Sequence, residues 1–520
     1  MDLEDLFGRE RGIYSNAGQH GRDVERSCSL ELINPDGSKG FQINCGVRIR
    51  GGFSRMPMNP KHAFRFFFRK QYGDGKLKYP LFGKEGAEAF DNIDLRCAQN
   101  YSWSLAGDLR GIFLRDQFNR DLQLAMGEPT ARGNFCHLYI NGQYWGLYDT
   151  CERPEASYGE TYFGGDKKDY DVIKPRVESG PNRGDAPGVT DGNVEAWRRL
   201  WTAAKSGLAS NAAYFRLQGK NPDGTRNSKY EVLLDPVNLI DYMLVILYGG
   251  NFDSPISKFM GERGANNWFG IRNRKGDQGF KFFIWDAEHT LLELNEDRTG
   301  PFPCGERFAD SNPQWLWQQC LENSEFRLLV ADRIHRHFYN GGVLTPKAVL
   351  ARFETRKNEI ERAVVWESAR WGDTQEGGGF MAPPRFGPDG KEEAGPLTKE
   401  HWSREMQRLL TNYFPNRTRI VLGQLWDIGL WPDTPGPSFN QQGGPVADSF
   451  KLEMKATRGK VYYTLDGSDP RLIGGKISTA AQPYQSAISL SQKIVVAKAR
   501  VLLESDWSPL TEATFEISGQ

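Results

Sequence analysis

The amino-acid sequence predicts an α+β fold that ends in a small unit made only of strands, and three observations support this prediction. Residues 29–69 alternate apolar and polar side chains around the turn signal Pro35-Asp36-Gly37, which is typical of strands. Residues 193–425 contain segments whose apolar residues recur at helical spacing. From residue 446 onward, five short alternating segments follow one another. The chain therefore has a strand-rich beginning, a helix-rich centre and an all-β end.

The predicted strand Lys61–Arg69 has two chemically different faces. Alternation places its phenylalanines on one side and most of its basic residues on the other, namely Phe64, Phe66 and Phe68 against Lys61, Arg65 and Arg69. The preceding strand ends at Gly51-Gly52, where backbone N–H groups can approach an oxyanion closely. A cationic face beside such a loop suits phosphate groups. An edge strand protected by positive charge would show the same pattern, so both interpretations stay open.

A helix and a hairpin follow this strand. The segment Ser102–Met126 has apolar residues near i,i+4 spacing and predicts a helix that packs on the sheet. Its Asp116 or Asp121 would pair either with a strand cation or with an arginine one turn along the helix. The segment His137–Asp149 predicts a hairpin in which Asn141-Gly142 form a type I′ turn.

The centre of the chain carries the acidic residues best placed for chemistry. The apolar segment Val237–Leu247 predicts a buried helix that Gly249-Gly250 end, and Asp253 follows in a loop. The aromatic strand Phe280–Trp285 then delivers Asp286 to its C-terminal end. Either aspartate alone would be a turn or capping residue. The order helix, Asp, Asn, strand, Asp instead matches the few groups that phosphoryl transfer needs.

Several blocks of the sequence resemble the CotH family, bacterial proteins similar to spore coat protein H with an atypical protein-kinase fold. The blocks are GFQINCGVRIRGGFSR, KHAFRFFFRKQYG, LRDQFNRDLQLAMG, LYINGQYWGLYDTCERPE, NFDSPISKF, ANNWFGIRNR, FFIWDAEHTLL, ADRIHRHFYNGG and ESARWGD. They span about residues 10–430 in the family's order. The resemblance implies a bilobal atypical protein-kinase-like fold, with an N-terminal extension at 1–25, an N-lobe at 26–152 and a C-lobe at 153–430.

The resemblance also implies an activity, an ATP-dependent phosphotransferase that uses Mg²⁺ or Mn²⁺ and modifies a protein acceptor. Asp253 would orient the acceptor, and Asp286 with Asn267 would bind the metal. Asn266 competes with Asn267 for this role, because the usual asparagine position, five residues after the catalytic aspartate, holds Lys258 here. The remaining nucleotide contacts would come from Arg50, Lys61, Arg65 and Glu152.

Two other functions remain open on the sequence. The same fold could transfer AMP or an amino acid, since ATP binding does not determine which phosphorus is attacked. The chain could also be a non-catalytic surface or matrix protein, because a fold does not fix a function.

The C-terminal part begins after a Pro- and Gly-rich segment at 431–445 that predicts a linker. Residues 446–520 predict a small immunoglobulin-like β-sandwich. The motif YYTLDGSDPR (Tyr462–Arg471) resembles the C-terminal accessory domain of chitobiase and β-hexosaminidase-type enzymes. Such a domain would present the kinase-like part or contact surface glycans.

The composition of the chain bears on which partners it binds and on where it is located. Lys plus Arg and Asp plus Glu both number 66, and no basic stripe is interleaved with aromatics, so nucleic acid is not expected as a partner. No apolar stretch has the length of a membrane span. Related proteins are typically exported, which implies an extracellular or cell-surface location. The first residues lack the apolar segment of a signal peptide, so we expect either a piece of a longer precursor or a cytoplasmic protein.

The seven cysteines are scattered and show no CxxC spacing. This pattern argues against a zinc site and against a dense disulfide framework, and it leaves one or two bridges open.

Overall fold

The predicted α+β class is confirmed by the computed structural model, which describes residues 1–105, 107–175, 187–302, 312–374, 385–386, 390–393 and 395–518. Helices and strands both contribute large parts of the chain, and strands dominate its two ends. Among the described residues, no helix is both long and apolar enough to cross a membrane.

The strands of the N-terminal part are β1 (Arg26–Leu32), β2 (Phe41–Arg50), β3 (Ala63–Phe67), β4 (Leu77–Lys78), β5 (Ala89–Phe90), β6 (Asn92–Arg96), β7 (Phe135–Ile140) and β8 (Gln143–Cys151). Six of them form one antiparallel sheet with the order β1-β2-β3-β6-β8-β7. The predicted turn between β7 and β8 is confirmed, since Asn141 and Gly142 both have positive φ angles of 50° and 82°.

The predicted division of the strand Lys61–Arg69 into two faces is confirmed from Phe64 to Phe68. Phe64, Phe66 and Phe68 are buried in the core beneath the sheet, together with Val47 and Ile49 of β2. Arg65 and Phe67 lie on the opposite face. Lys61 precedes the strand, because β3 begins at Ala63.

The helices of the described residues are α1 (Leu3–Phe7), α2 (Arg115–Ala125), α3 (Ala156–Phe163), α4 (Glu195–Lys205), α5 (Asn211–Arg216), α6 (Pro236–Gly249), α7 (Pro313–Cys320), α8 (Ser324–Phe338), α9 (Pro346–Ile360), α10 (Ala363–Trp371), α11 (Lys399–Arg408) and α12 (Phe414–Asp427). Between them lie the strands β9 (Tyr170–Pro175), β10 (Pro187–Asp191), β11 (Ile256–Ser257), β12 (Gly264–Ala265), β13 (Trp268–Asn273) and β14 (Lys281–Ile284). A second sheet has the order β10-β9-β13-β14 and contacts α2, α3 and α6, whereas Leu6 of α1 lies in the core of the N-terminal sheet.

The helix α6 is the buried centre of this part, as predicted. Every residue from Asn238 to Gly249 is buried, and the helix packs against β14 and α8. Gly250 ends it with a φ of 60°, a left-handed conformation that glycine adopts without strain. The loop with Asp253 follows directly.

Two predicted helices differ from the structure. The helix predicted from Ser102 begins only at Arg115. The sequence pattern of Lys347–Arg370 predicts one long amphipathic helix, but a turn at residues 361–362 divides this segment into α9 and α10, and α10 packs against β8. The Gly- and Pro-rich composition of Gly372–Pro396 predicts a loop, and most of this segment lies outside the described residues.

The C-terminal part is β-rich. Its strands are β15 (Ser438–Phe439), β16 (Gly444–Ala447), β17 (Lys451–Leu452), β18 (Met454–Lys455), β19 (Lys460–Thr464), β20 (Gln482–Pro483), β21 (Ile488–Ser489), β22 (Ile494–Leu503), β23 (Asp506–Trp507) and β24 (Thr511–Ser518). The main sheet has the order β16-β24-β22-β19-β20 and covers its own apolar cluster. We call residues 438–518 the β-rich unit. The domain boundaries given above stay predictions.

Candidate active site

A cavity of about 790 Å³ lies between the N-terminal sheet and the loops that follow α6 and β14. The sheet contributes Arg48–Arg50 at the end of β2 and the alternate residues Ala63, Arg65 and Phe67 of β3. The opposite wall comes from the loops at 253–269 and 285–289. Six of the predicted site residues line this one cavity: Arg50, Arg65, Asp253, Asn266, Asn267 and Asp286.

Asp253 is held in place by hydrogen bonds to both carboxylate oxygens. Its Oδ1 accepts a short hydrogen bond from the Ser257 hydroxyl. Its Oδ2 accepts from Nδ2 of Asn266 at 3.1 Å and from Nδ2 of Asn267 at 2.9 Å. The residue is 7% exposed, so the position of its carboxylate is set by the protein and not by solvent.

Asp286 follows β14 in a tight turn. It has a φ of 54°, and Asn267 has a φ of 53°, in the left-handed region that Asp and Asn adopt more readily than other non-glycine residues. The Asp286 side chain is 31% exposed, and its Oδ1 accepts a short hydrogen bond from Arg96.

Arg96 is the buried centre of the charge network around Asp286. Besides Asp286 it contacts the Glu288 Oε1 at 3.2 Å and the Asp116 Oδ2 at 3.1 Å. Both partners predicted for Asp116 are present, because its Oδ2 also lies 3.2 Å from Nε of Arg120. A guanidinium that bridges three carboxylates fixes the helix α2 and the Asp286 loop relative to each other.

Two neighbours of Asp286 also face the cavity and were not predicted to bind a ligand. Burial and the nearby charge of Asp286 raise the pKa of Glu288 to about 7. Burial lowers the pKa of His289 to about 4, and its Nδ1 lies 2.8 Å from the Tyr101 hydroxyl. The place of His289 beside Glu288 in the acidic loop makes it the histidine that the sequence favours for function.

The sheet side of the cavity is cationic. Arg50 and Arg65 both donate to the buried Asp94, with the Arg50 Nε 2.8 Å from its Oδ2. One carboxylate thus serves two guanidinium groups. Arg55 donates to the backbone carbonyls of Gly51, Ala17 and Gln19. Burial and the charges of Arg65, Arg50 and Arg48 lower its pKa to about 10. This wall therefore has positive charge in excess, as polyphosphate binding requires.

The glycine loop covers the end of this wall. Gly51 has a φ of 111°, and a Cβ atom at this position would lie 1.7 Å from the Ser54 Oγ. Only glycine therefore fits the turn. Its role as a phosphate-binding loop stays a prediction.

Lys61 lies outside the cavity, which corrects the expectation that it neutralises phosphate charge. It is fully buried, and its Nζ is 2.5 Å from the Glu367 Oε1 of α10 and 2.8 Å from the Leu147 carbonyl oxygen. Lys174 of β9 lines the cavity instead, in a position that no sequence pattern singled out.

We expect the double variant Lys61→Met/Glu367→Gln to bind ATP as tightly as the wild type. Its free energy of unfolding should fall by about 1–3 kcal/mol, because the Leu147 carbonyl loses its buried donor while the introduced amide still accepts from the Leu147 N–H. Calorimetric titration with ATP and urea denaturation measure the two quantities. A large loss of affinity in a folded variant would restore the nucleotide role of Lys61.

Glu152 also lies outside the cavity, contrary to the predicted nucleotide contact. Its Oε2 accepts from the Arg132 backbone N–H at 2.9 Å, and its Oε1 accepts a short hydrogen bond from Tyr162. Burial raises its pKa from 4.5 to about 7. The adjacent residue Arg153 lines the cavity instead.

This raised pKa predicts a dependence of stability on pH. The folded state holds the Glu152 proton more tightly than the unfolded state, so this group's contribution to stability is complete below pH 4.5 and is lost as the pH rises through about 7. The glutamine of Glu152→Gln cannot titrate. As the pH rises, this variant should therefore lose up to about 3 kcal/mol less of its free energy of unfolding than the wild type. Urea denaturation at several pH values checks the difference in slope, and parallel profiles would contradict it.

The cavity offers a small set of possible metal ligands. Within the part of the chain that the structure describes, no group of three or more His, Cys, Asp or Glu side chains is arranged to hold a metal. Mg²⁺ in phosphotransfer sites uses one or two carboxylates, waters and phosphate oxygens. Asp286 and Asn267 offer a carboxylate and an amide oxygen on one cavity and thus fit this smaller set.

Comparisons with known proteins identify two family models in this chain. A family model described as CotH kinase protein matches residues 47–421, which include all the predicted site residues, and a model described as Fn3 associated matches residues 450–513. No curated protein matches. A chain from the Shewanella oneidensis MR-1 toxin–antitoxin complex of HipA, HipB and operator DNA is 11% identical, with 68% of this chain and 66% of that chain covered. That coverage is just under two thirds of that chain, and the TM-score of 0.22 is too low to support any argument.

Proposed function

The chain belongs to the CotH kinase protein family, and we propose that it transfers the γ-phosphoryl group of ATP to a hydroxyl group of a protein acceptor. One observation carries this proposal. The carboxylates of Asp253 and Asp286 line a single cavity, whose opposite wall holds Arg50 and Arg65. One carboxylate can act on an acceptor hydroxyl, the other can bind a divalent metal, and the excess of cations can bind a triphosphate.

Asp253 is the residue proposed to act on the acceptor. Its carboxylate would accept the hydroxyl proton as the acceptor oxygen forms a bond to the γ-phosphorus and the bond to the ADP oxygen breaks. The hydrogen bonds from Ser257, Asn266 and Asn267 hold this carboxylate without neutralising its charge.

Asp286 and Asn267 are proposed to hold Mg²⁺ or Mn²⁺. The Asn267 Nδ2 donates to Asp253, so the side-chain oxygen of Asn267 is the atom that would bind the metal. Asn266 donates to the same oxygen and remains an equal candidate. A divalent cation bound there would neutralise phosphate charge. Arg50 and Arg65 would bind phosphate oxygens from the sheet side.

The partners outside the cavity are proposed on the resemblance of the sequence alone. We propose that the acceptor is a surface or secreted protein and that the β-rich unit contacts surface glycans. A γ-labelled ATP assay against extracts of cell-surface proteins and a glycan-binding assay with residues 438–518 removed test these two parts separately.

Nucleotide binding is the first test of this function. We expect calorimetry to detect binding of ATP that depends on Mg²⁺ or Mn²⁺, and Asp286→Ala to abolish the dependence on metal, because the variant loses its charged metal ligand. ATP labelled on the γ- or α-phosphorus then distinguishes phosphoryl transfer from AMP transfer. Absence of binding at millimolar nucleotide would contradict the proposal and favour a non-catalytic protein.

Asp277→Ala is the matched control for this test. Asp277 is exposed in the turn between β13 and β14, outside the residues that line the cavity. The substitution removes the same chemical group from the same part of the chain. Equal losses in both variants would mean that general charge, and not a metal ligand, is being measured.

A further inference from the structure

Two cysteines face each other across the first hairpin. Cys28 of β1 is the direct register partner of Cys45 of β2, and their Sγ atoms are 3.5 Å apart. Opposed residues of an antiparallel pair have Cα atoms about 4.5–5.5 Å apart. That spacing falls within the range of about 4.4–6.8 Å that a disulfide requires. The backbone is therefore already at bonding distance.

The two thiols differ in access. Cys45 is fully buried in the core of the N-terminal sheet, whereas Cys28 is half-buried on β1, the edge strand of that sheet. The hydrogen bond with Cys45 lowers the pKa of Cys28, while the same contact and burial raise the pKa of Cys45. An oxidant from solvent thus meets Cys28 first, and Cys45 is placed to react second.

We propose that Cys28 and Cys45 form a cross-strand disulfide by exchange with a low-molecular-weight disulfide such as oxidised glutathione. The Cys28 thiolate attacks one sulfur of the oxidant, which forms a mixed disulfide and releases one thiol. The Cys45 thiolate then attacks the Cys28 sulfur, which forms the internal bond and releases the second thiol. The two cysteines lose two electrons and two protons, and the oxidant becomes two thiols.

The bond would fasten the edge strand to the strand that carries the cavity wall. Cys45 lies on the core face of β2, and Arg48 and Arg50 lie further along the same strand on the cavity side. Such a bond persists in oxidising compartments and is reduced in the cytosol. The oxidation state of the pair would therefore depend on the compartment in which the protein works, independently of the proposed phosphotransfer.

Peptide mapping of the folded full chain tests the proposal. The protein is incubated with oxidised glutathione, unfolded in the presence of N-ethylmaleimide so that the buried thiols also react, and digested with trypsin. Cleavage after Arg26, Lys39 and Arg48 gives the peptides 27–39 and 40–48, each with one of the two cysteines. We expect these peptides to be recovered as one species linked by a disulfide. The number of alkylated thiols should fall by two, and reductant should lower the Tm of the oxidised protein.

Two variants and one other cysteine complete the test. Cys28→Ser and Cys45→Ser should each prevent the linked species and make Tm insensitive to reductant. Cys28→Ser changes the more accessible residue, so it still gives a result if Cys45→Ser fails to fold. Cys136 lies half-buried in the same sheet and should stay alkylated throughout. The proposal is overturned if peptides 27–39 and 40–48 are recovered separately, or if glutathione remains attached to Cys28.

Discussion

Asp253→Asn is expected to lower the rate of phosphoryl transfer about 10²–10⁴-fold, the range typical of removing a general base. The amide keeps the shape of the side chain, and its oxygen can still accept from Asn266 and Asn267. It cannot take the acceptor proton. The affinity for ATP and metal should change little. Single-turnover rates with γ-labelled ATP, together with calorimetric ATP affinities, separate the two effects.

Ser257→Ala is the matched control for Asp253→Asn. It removes the short hydrogen bond to the Asp253 Oδ1 and leaves the carboxylate in place. We expect a smaller decrease in rate than for Asp253→Asn, because the carboxylate that takes the proton remains and only one hydrogen bond to a charged group, worth about 1.5–3 kcal/mol, is lost. If Asp253→Asn instead weakened ATP binding and left the rate of bound substrate unchanged, Asp253 would be a nucleotide ligand and not the acceptor base.

Local patterns were sufficient to predict the two acidic loops. A buried helix ended by glycine and an aromatic strand ended by aspartate are both short-range signals. Asp253 and Asp286 could therefore be located without knowing what surrounds them. The faces of β3 followed from alternation for the same reason, and Arg65 reached the cavity as predicted.

Pairing between residues far apart in the sequence could not be predicted. This explains why the role predicted for Lys61 was wrong and why Arg96 was missed. Lys61 pairs with Glu367, 306 positions away, and Arg96 reaches Asp286 across 190 positions. Alternation shows the side of a strand to which a charge points but gives no partner. Arg96 is the last residue of β6 and follows the buried residues Ile93–Leu95. An arginine at the end of a strand with alternating apolar residues was the sequence signal that could have identified it as a site residue.

The late start of α2 has a similar cause. Trp103, Ile112 and Leu114 are fully buried although they precede the helix. Residues packed in an irregular segment can show the same apolar spacing as a helix face, because burial and not helix geometry sets the pattern. The spacing alone therefore predicted a helix with too many residues at its start.

The helix α8 connects the β-rich unit to the helix that precedes Asp253. Its Asp332 accepts from both terminal nitrogens of Arg500 in the β-rich unit at 2.7 Å. The next residue, Arg333, donates to Asp241 of α6, with its Nε 2.8 Å from the carboxylate. Neighbouring residues of one helix thus contact the β-rich unit and α6. Ion pairs therefore hold the β-rich unit against the rest of the chain. A unit attached only by a flexible linker would not need such contacts.

Arg500→Met is expected to lower the free energy of unfolding by about 3–5 kcal/mol, the cost of breaking a buried ion pair. Arg500 is 2% exposed and also donates to Asp469 and to the Ser508 carbonyl. Burial already raises the pKa of Asp332, and without the guanidinium its charge has no compensation. Urea denaturation followed by tryptophan fluorescence measures the loss.

Lys498→Met, two residues earlier on β22, is the control for Arg500→Met. Lys498 pairs with Glu512 at 3.3 Å in a partly exposed position, where an ion pair contributes about 0–1 kcal/mol. Adding Asp332→Asn to Arg500→Met should recover part of the loss, because the variant no longer buries an unpaired charge. If Arg500→Met cost no more than the control, or if the β-rich unit unfolded alone without affecting the rest, the proposed connection through α8 would be wrong. A loss in one cooperative transition would instead mean that the β-rich unit helps to hold α8 against α6, and through it the loop that carries Asp253.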